Sequence, residues 1–315
     1  MASTIVPDVT ARPAVLPTDR LLGNGMCRPE LRRDLRRIDD KRNTLTVVGL
    51  WACVAAMIGV AVWSDDIVVY LVVFVLMGPI HARLAILMHE SAHKLLFTSR
   101  QVNDWVGKWL IAYPALVPIG LYRRGHFAHH RQELGPEEPD MAYYGGYRCD
   151  RRTLARRLAR DGVGISGWKN LVPLIRAVKV PAYRRVSLSI LGVQAALLAV
   201  SWLATGRWWI CPLLWWLPWM TQWRVLNRLR AIAEHGGLEA GSDRRVTTHA
   251  VHQSLAARFW IVPYNTGWHL AHHVDTGIPW RNLPRFHAEL ERAGYVTPGL
   301  TYPNYRALWK DLASA

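Results

Sequence analysis

Nineteen consecutive residues without a charge, Leu45–Trp63, and nineteen more, Val186–Ala204, set the first limit on this chain. Each run is close to the roughly 20 apolar residues that a helix needs to cross a bilayer. Trp208–Trp223 adds sixteen uncharged residues and Ile67–Ile80 adds fourteen. Fourteen is short for a span, but the helical apolar spacing continues through Leu84, Leu87 and Met88, so a longer helix that emerges from the membrane accounts for it. Four spans in two hairpins are expected. A soluble core helix is the alternative for any single run, and four such runs in one chain speak against it.

Charge supplies the orientation. The 315 residues carry 39 Lys+Arg against 23 Asp+Glu, a formal net charge of +16. A nucleic-acid partner would fit that total, but the distribution points to a membrane. Arg28, Arg32, Arg33, Arg36, Arg37, Lys41 and Arg42 precede the first run, and Arg224, Arg228 and Arg230 follow the last. The loop Ser64-Asp65-Asp66 has no basic residue and Thr205-Gly206-Arg207 has one. Both termini are therefore expected in the cytoplasm of a multi-pass protein of the cell (inner) membrane, with no nucleic-acid partner. The opening MASTIVPDVTARPAVLP lacks a charged segment followed by an apolar one, so it is read as a partly disordered lead-in rather than a signal peptide. The expected organisation is a cytosolic N-terminal segment over 1–43, a membrane domain over 44–290 and a cytosolic tail over 291–315. Cys27, Cys53, Cys149 and Cys211 form no CxxC pair, which argues against a disulfide framework or a rubredoxin-type iron site.

Nine of the 13 histidines gather in four places. "HESAH" holds His89 and His93; "HFAHH" holds His126, His129 and His130; "AIAEH" ends in His235; "HLAHH" holds His269, His272 and His273. At this chain's histidine frequency a given H-x-x-H-H window arises about 7 times in 100,000, so two of them are not accident. Residues i, i+3 and i+4 share one face of a helix, so each motif can aim its imidazoles at one point. All four groups fall in segments that the charge rule assigns to the cytoplasm. His89 and His235 lie about 14 and 18 Å beyond the ends of their apolar runs if the helices continue, which suits one shared site.

Histidine is the commonest nitrogen ligand for iron, copper and zinc, and nine imidazoles exceed what one ion holds. A two-metal site with open positions for a small molecule such as dioxygen is expected. His81, His249, His252 and His287 stay outside the pattern as structural residues. Haem held by two histidines would need single histidines inside the spans, and none of the nine lies there. "HESAH" also matches the H-E-x-x-H signature of zinc proteases, with Glu90 as general base. That reading, an intramembrane protease, needs one further ligand and leaves six clustered histidines unused. A metal carrier would string its ligands along a transmembrane path instead. On the two-metal reading, Glu90 accepts a hydrogen bond from a ligand imidazole. The stretch Trp109–Tyr122 contains Pro114 and Pro118 and reads as re-entrant or interfacial. The tryptophans of the last run suit an interfacial belt or the lining of a substrate tunnel.

Together these motifs resemble the membrane fatty acid desaturase and hydroxylase superfamily, with its three histidine boxes and a lone histidine before the third. "HHVDTGIPWRNLPRFH", residues 272–287, is similar to the tail that follows the family's third box. The resemblance covers roughly residues 45–290. It implies an all-α integral membrane fold of four transmembrane helices, two hairpins, with a cytosolic helical cap. That cap would hold a non-haem di-iron centre, two Fe bound by His89, His93, His126, His129, His130, His235, His269, His272 and His273. It further implies O2 as co-substrate, a lipid or acyl-chain substrate, and a separate electron donor of ferredoxin, rubredoxin or cytochrome b5 type. Glu90, Asp140, Glu234 and Asn265 are the candidate groups behind the ligands. One departure stands out: Ala231 occupies the position where animal stearoyl desaturases carry an asparagine, a hydroxylase-like feature. The expected activity is fatty-acyl desaturation, with hydroxylation of an acyl chain, alkane or other hydrophobic substrate as the alternative.

Overall fold

Asp39 and Asp66 start two long apolar helices in the same way. An aspartate at the N-cap accepts from backbone N–H groups that the first helical turn leaves without partners. Asp39 takes the N–H of Arg42 at 2.9 Å and Asp66 that of Val68 at 2.7 Å. The computed structural model describes residues 4–314 and is mostly helical. Its helices are α1 (Pro29–Leu35), α2 (Asp40–Ser64), α3 (Ile67–Ala92), α4 (Arg100–Val106), α5 (Ile119–Arg131), α6 (Met141–Tyr144), α7 (Arg151–Gly162) and α8 (Ile165–Arg176). They continue with α9 (Pro181–Thr205), α10 (Leu217–Met220), α11 (Gln222–His235), α12 (Arg244–Thr247), α13 (Leu255–Trp260), α14 (His269–Val274), α15 (Leu283–Arg292) and α16 (Tyr305–Leu312). Two short strands, β1 (Ala250–Val251) and β2 (Thr301–Tyr302), pair in parallel. The chain divides into two units. A span unit holds residues 39–122 and 156–227, and a histidine unit holds 1–38, 123–155 and 228–315.

In the span unit, apolar helical stretches ending at Ser64, Ala92 and Thr205 are long and apolar enough to cross a membrane. Leu45, Val48, Val60 and Trp63 of α2, Ile67, Leu71 and Val75 of α3, and Val200 and Leu203 of α9 are exposed. Aliphatic surface on this scale suits lipid rather than water. From Met77 onward α3 is buried nearly all round, so the helix passes from an exposed half to an enclosed one. The turn after α2 and the turn after α9 meet: Arg207 ion-pairs with Asp65 and donates to the Tyr70 hydroxyl at 2.6 Å.

The run Trp208–Trp223 is not one continuous helix. Pro212–Trp216 forms a π-helical segment, α10 lasts four residues, and Thr221 leaves helical geometry at φ −112°, ψ −81° before α11 begins. Pro212 and Pro218 explain the interruption, because proline lacks the N–H and crowds the preceding turn. Three long apolar helices, rather than four, are therefore found among the described residues.

The tryptophans of that run have a specific task. The expected re-entrant stretch is a π-helical segment (Gly107–Ala112) followed by turns, with Leu116 at a left-handed φ of 60°. Such a backbone leaves carbonyls that an α-helix would satisfy, and apolar surroundings make each one costly. Indole N–H groups take them up. Trp51 donates to Leu110 (2.9 Å), Trp215 to Pro114 (3.0 Å) and Trp219 to Ala115 (2.8 Å). Gln194 of α9 donates to Tyr113 (2.7 Å) and in turn accepts from Trp216 (2.9 Å).

The histidine unit has its own core. Leu21, Cys27, Leu31 and Leu35 pack in one cluster with Leu270, Val274, Ile278, Trp280, Leu283, Phe286 and Leu290. The N-terminal residues from Val15 on thus pack beside α14 and α15. Ion pairs reinforce the seam: Arg32 meets buried Asp275 at 2.8 Å and Arg20 meets Glu289 at 2.7 Å. Asn282 donates to the Leu35 carbonyl at 2.7 Å.

Candidate metal centre

"HESAH" closes α3 in the span unit. Its two imidazoles, one helical turn apart, have ring centroids 4.7 Å from each other. The backbone here is clamped. Ser91 Oγ donates to the Asn103 carbonyl (3.0 Å), and Asn103 Nδ2 returns a bond to the Ser91 carbonyl (3.0 Å). Gly107 permits this approach, since a Cβ there would lie 1.8 Å from Ser91 Oγ. Buried Glu90 places a carboxylate oxygen 3.3 Å from His89 Nδ1.

In the histidine unit, α5 and α14 each carry one H-x-x-H-H face, and His235 ends α11. Seven imidazoles gather there in two groups. His130 Nε2 lies 3.0 Å from His126 Nε2 and 3.2 Å from His272 Nε2. His269 Nε2 lies 3.0 Å from His273 Nε2 and 3.1 Å from His235 Nε2. The His129 ring sits 4.8 Å from that of His235 and 5.1 Å from that of His273, centroid to centroid.

The outer nitrogens fix the ring orientations. His235 Nδ1 donates to the Thr247 carbonyl (2.8 Å), His273 Nδ1 to Glu133 (2.5 Å) and His129 Nδ1 to Glu138 (2.9 Å). A neutral imidazole that donates through Nδ1 presents a lone pair at Nε2. Burial holds His235 and His273 well below the usual histidine range, and nearby imidazoles push the same way. Their bare nitrogens both face His269 Nε2, where one ring hydrogen can serve only one of them. A cation resolves the conflict. Two nitrogens bound at right angles to one ion about 2.1 Å away are about 3.0 Å apart, which matches the spacings here. The donor set fits a metal, with second-layer acceptors of the kind that orient ligand histidines.

Those acceptors are a network of buried acids. Glu133 receives His273, the Arg244 guanidinium at 2.5 Å and the Thr247 hydroxyl. Burial raises its pKa in spite of these bonds. Burial also works against the charges of His129 and Glu138, but their hydrogen bond prevails, lifting His129 and lowering Glu138. Tyr144 places its hydroxyl 3.1 Å from His129 Nδ1, and burial, then the charges of Glu138 and Asp140, raise its pKa.

Of the four supporting groups expected from the sequence, Glu90 lies beside His89, and Glu234 lies 3.6 Å from His269 Nδ1 while pairing with Arg230 at 2.9 Å. Asp140 shares a cluster with His129 and Glu138, though Glu138 makes the direct bond. Asn265 has a bond of its own. It donates to the Trp280 carbonyl at 3.3 Å, in a left-handed pair with Tyr264 just before α14. Sequence reasoning missed Glu133, Glu138, Thr247 and Arg244. Glu133 had a readable signal: it completes the i, i+3, i+4, i+7 series begun by His126. Glu138 sits in a loop among three acids, where spacing says nothing. The histidines assigned structural roles include His81, whose Nε2 is 3.0 Å from the Trp215 carbonyl, and His249, whose Nε2 is 2.8 Å from that of Gly236.

Comparison with known proteins agrees with this chemistry. The sequence profile of the family described as Fatty acid desaturase matches residues 65–306, a range that includes every histidine named above. The sn-1 oleoyl-lipid 12-desaturase of Arthrospira platensis is 24% identical over 230 residues, covering 67% of this chain and 65% of that protein. The chain thus spans just under two thirds of that relative's length.

Proposed function

This chain belongs to the fatty acid desaturase family, and from that premise we propose that it is an O2-dependent membrane oxidoreductase that desaturates an acyl chain. The observation that carries the reading is the set of imidazole Nε2 atoms facing one another at 3.0–3.2 Å in the histidine unit. Carried over box by box from the family pattern, His89 and His93 join these seven as ligands of two irons. The proposal includes four membrane crossings with both termini and the histidines on the cytoplasmic side. The pairing of Arg207 with Asp65 supports a common side for the two hairpin turns.

Two irons in such a ligand set supply the means to reduce O2 and take hydrogen from an unactivated C–H bond. The rest is the work of the chain's own groups. Glu133, Glu138 and the Thr247 carbonyl hold ring hydrogens at Nδ1, so that Nε2 is offered inward. Burial keeps His235 and His273 neutral, the form that binds metal. Per turnover, –CH2–CH2– with O2, two protons and two electrons gives –CH=CH– and two waters. The electrons come from a separate donor protein.

Glu90 supports the oxidoreductase reading over a zinc protease. It is buried against a histidine nitrogen rather than open to a water that it would activate. Hydroxylation is the second reading, favoured by Ala231 four residues before His235. The test is metal analysis of detergent-purified protein, then O2 uptake with acyl substrates and mass spectrometry of the product. Two irons per chain and a product lighter by two hydrogens are expected. A product heavier by one oxygen would turn the reading to hydroxylase, and one zinc without iron would overturn both.

A further inference from the structure

In the span unit, α8 is apolar on two sides, and only one of them is packed. Gly167 and Leu174 share one side and are buried. Gly167 comes so close to α10 that a Cβ there would meet the Met220 carbonyl oxygen at 2.4 Å. Ile165, Trp168, Val172 and Ile175 recur at i, i+3, i+7 and i+10, a stripe along another side of the same helix. Trp168 is 57% exposed, and Ile165 and Ile175 are exposed too. Lys169 and Arg176 stand four residues after Ile165 and Val172, so two cations border the stripe. A recess of about 360 Å³ opens beside it, lined by Val163, Ile165, Trp168, Lys169, Leu217 and Met220.

We propose that this recess holds one anionic phospholipid of the bilayer, with its phosphate at Lys169 and part of an acyl chain against Trp168 and Leu217. The inference rests on the membrane reading of the span unit and is independent of the iron chemistry.

Charge and position select the occupant. No carboxylate lines the recess, and the sequence from Gly162 to Ala233 contains no aspartate or glutamate. Asp161, the last acid before that stretch, is buried and holds the Ser166 hydroxyl. Lys169 and Arg176 have no hydrogen-bonding or ionic partner among the described residues. Two uncompensated cations favour an anionic headgroup over a zwitterionic one. α8 ends at Arg176, and α9, long and apolar enough to cross a membrane, begins at Pro181. The stripe therefore comes just ahead of a point where the chain enters the bilayer. An exposed indole beside a lysine suits the headgroup boundary, where the ring stays in apolar surroundings and the ammonium reaches polar ones. A soluble anion would use Lys169 and leave the apolar wall idle.

The experiment titrates the full chain, delipidated in detergent, with dioleoyl-phosphatidylglycerol or dioleoyl-phosphatidylcholine and reads the affinity of the first bound lipid by native mass spectrometry. Wild type should prefer phosphatidylglycerol by about tenfold. Lys169→Gln should lose about fivefold for phosphatidylglycerol and keep its affinity for phosphatidylcholine. Trp168→Ala removes part of the apolar wall and should weaken both lipids by a similar factor. Both substitutions are at exposed positions, so thermal midpoints without added lipid should stay near wild type. Equal wild-type affinity for the two lipids, or an unchanged preference in Lys169→Gln, overturns the headgroup site. Wild-type affinities in Trp168→Ala overturn the recess as the place of the chain. Loss of the preference in millimolar inorganic phosphate would reassign the site to a soluble anion and overturn the lipid. Protein that stays soluble without detergent overturns the membrane reading instead.

Discussion

The two histidine triplets share one spacing and differ in what holds them. "HFAHH" lies on a 13-residue helix with one buried face: His126 and His129 are buried, while Phe127 between them is 36% exposed. "HLAHH" lies on a six-residue helix that is buried all round, and Leu270, Ala271 and Val274 belong to the core of the histidine unit. The first triplet is aimed by the amphipathic pattern of its helix and a nearby loop. The second is aimed by packing, because six residues are too few to stand as a helix alone. Their acids follow the same division. Glu138 lies nine residues from His129, whereas Glu133 lies 140 from His273.

Removing a ligand should erase the difference. His126→Ala and His273→Ala are each expected to abolish product formation and lower the iron count of purified protein. Iron at the wild-type level in either variant would remove that triplet from the ligand set.

Replacing the residue between the histidines should restore the difference. Leu270→Ala removes a core side chain at 1% exposure and is expected to cost about 2–5 kcal/mol. A lower thermal midpoint of the detergent-solubilised protein is the readout. A midpoint within a degree of wild type would mean that packing does not hold the second triplet.

The acids give a finer test. Glu133→Gln and Glu138→Gln keep shape but weaken acceptance from Nδ1, and each should reduce metal affinity about 10- to 100-fold. Glu133→Gln should be the more damaging, since Glu133 also anchors Arg244 and Thr247. Competition with a chelator measures both, and equal affinities would make the Arg244 and Thr247 contacts irrelevant to the ligands.

How much of this was legible follows from distance along the chain. The nine histidines announce themselves because their spacing is local and helical, and α3 continues past Ile80 to carry His89 as its apolar pattern requires. What stayed hidden pairs residues far apart. Trp215 and Trp219 satisfy carbonyls more than 100 positions away, so their composition reads as a belt when their N–H groups do other work. The last apolar run reads as one continuous helix because hydropathy ignores what Pro212 and Pro218 do to the backbone. Residues 1–43 read as a separate, partly disordered segment because Leu21, Leu31 and Leu35 pack in one cluster with residues more than 200 positions further on.

The smallest effect is expected at Phe127, and it separates aim by pattern from aim by packing. Phe127 is 36% exposed, whereas Leu270 is 1% exposed, so Phe127→Ala removes a less enclosed side chain while the histidines, Glu133 and Glu138 keep their own side chains. The cost should therefore be smaller than for Leu270→Ala, with a thermal midpoint above that of Leu270→Ala and an iron count near wild type. Set beside Leu270→Ala, the same one-residue offset from a histidine should differ several-fold in cost. A Phe127→Ala midpoint as low as that of Leu270→Ala would mean that the first triplet, too, is held by packing, and the contrast between the two helices would collapse.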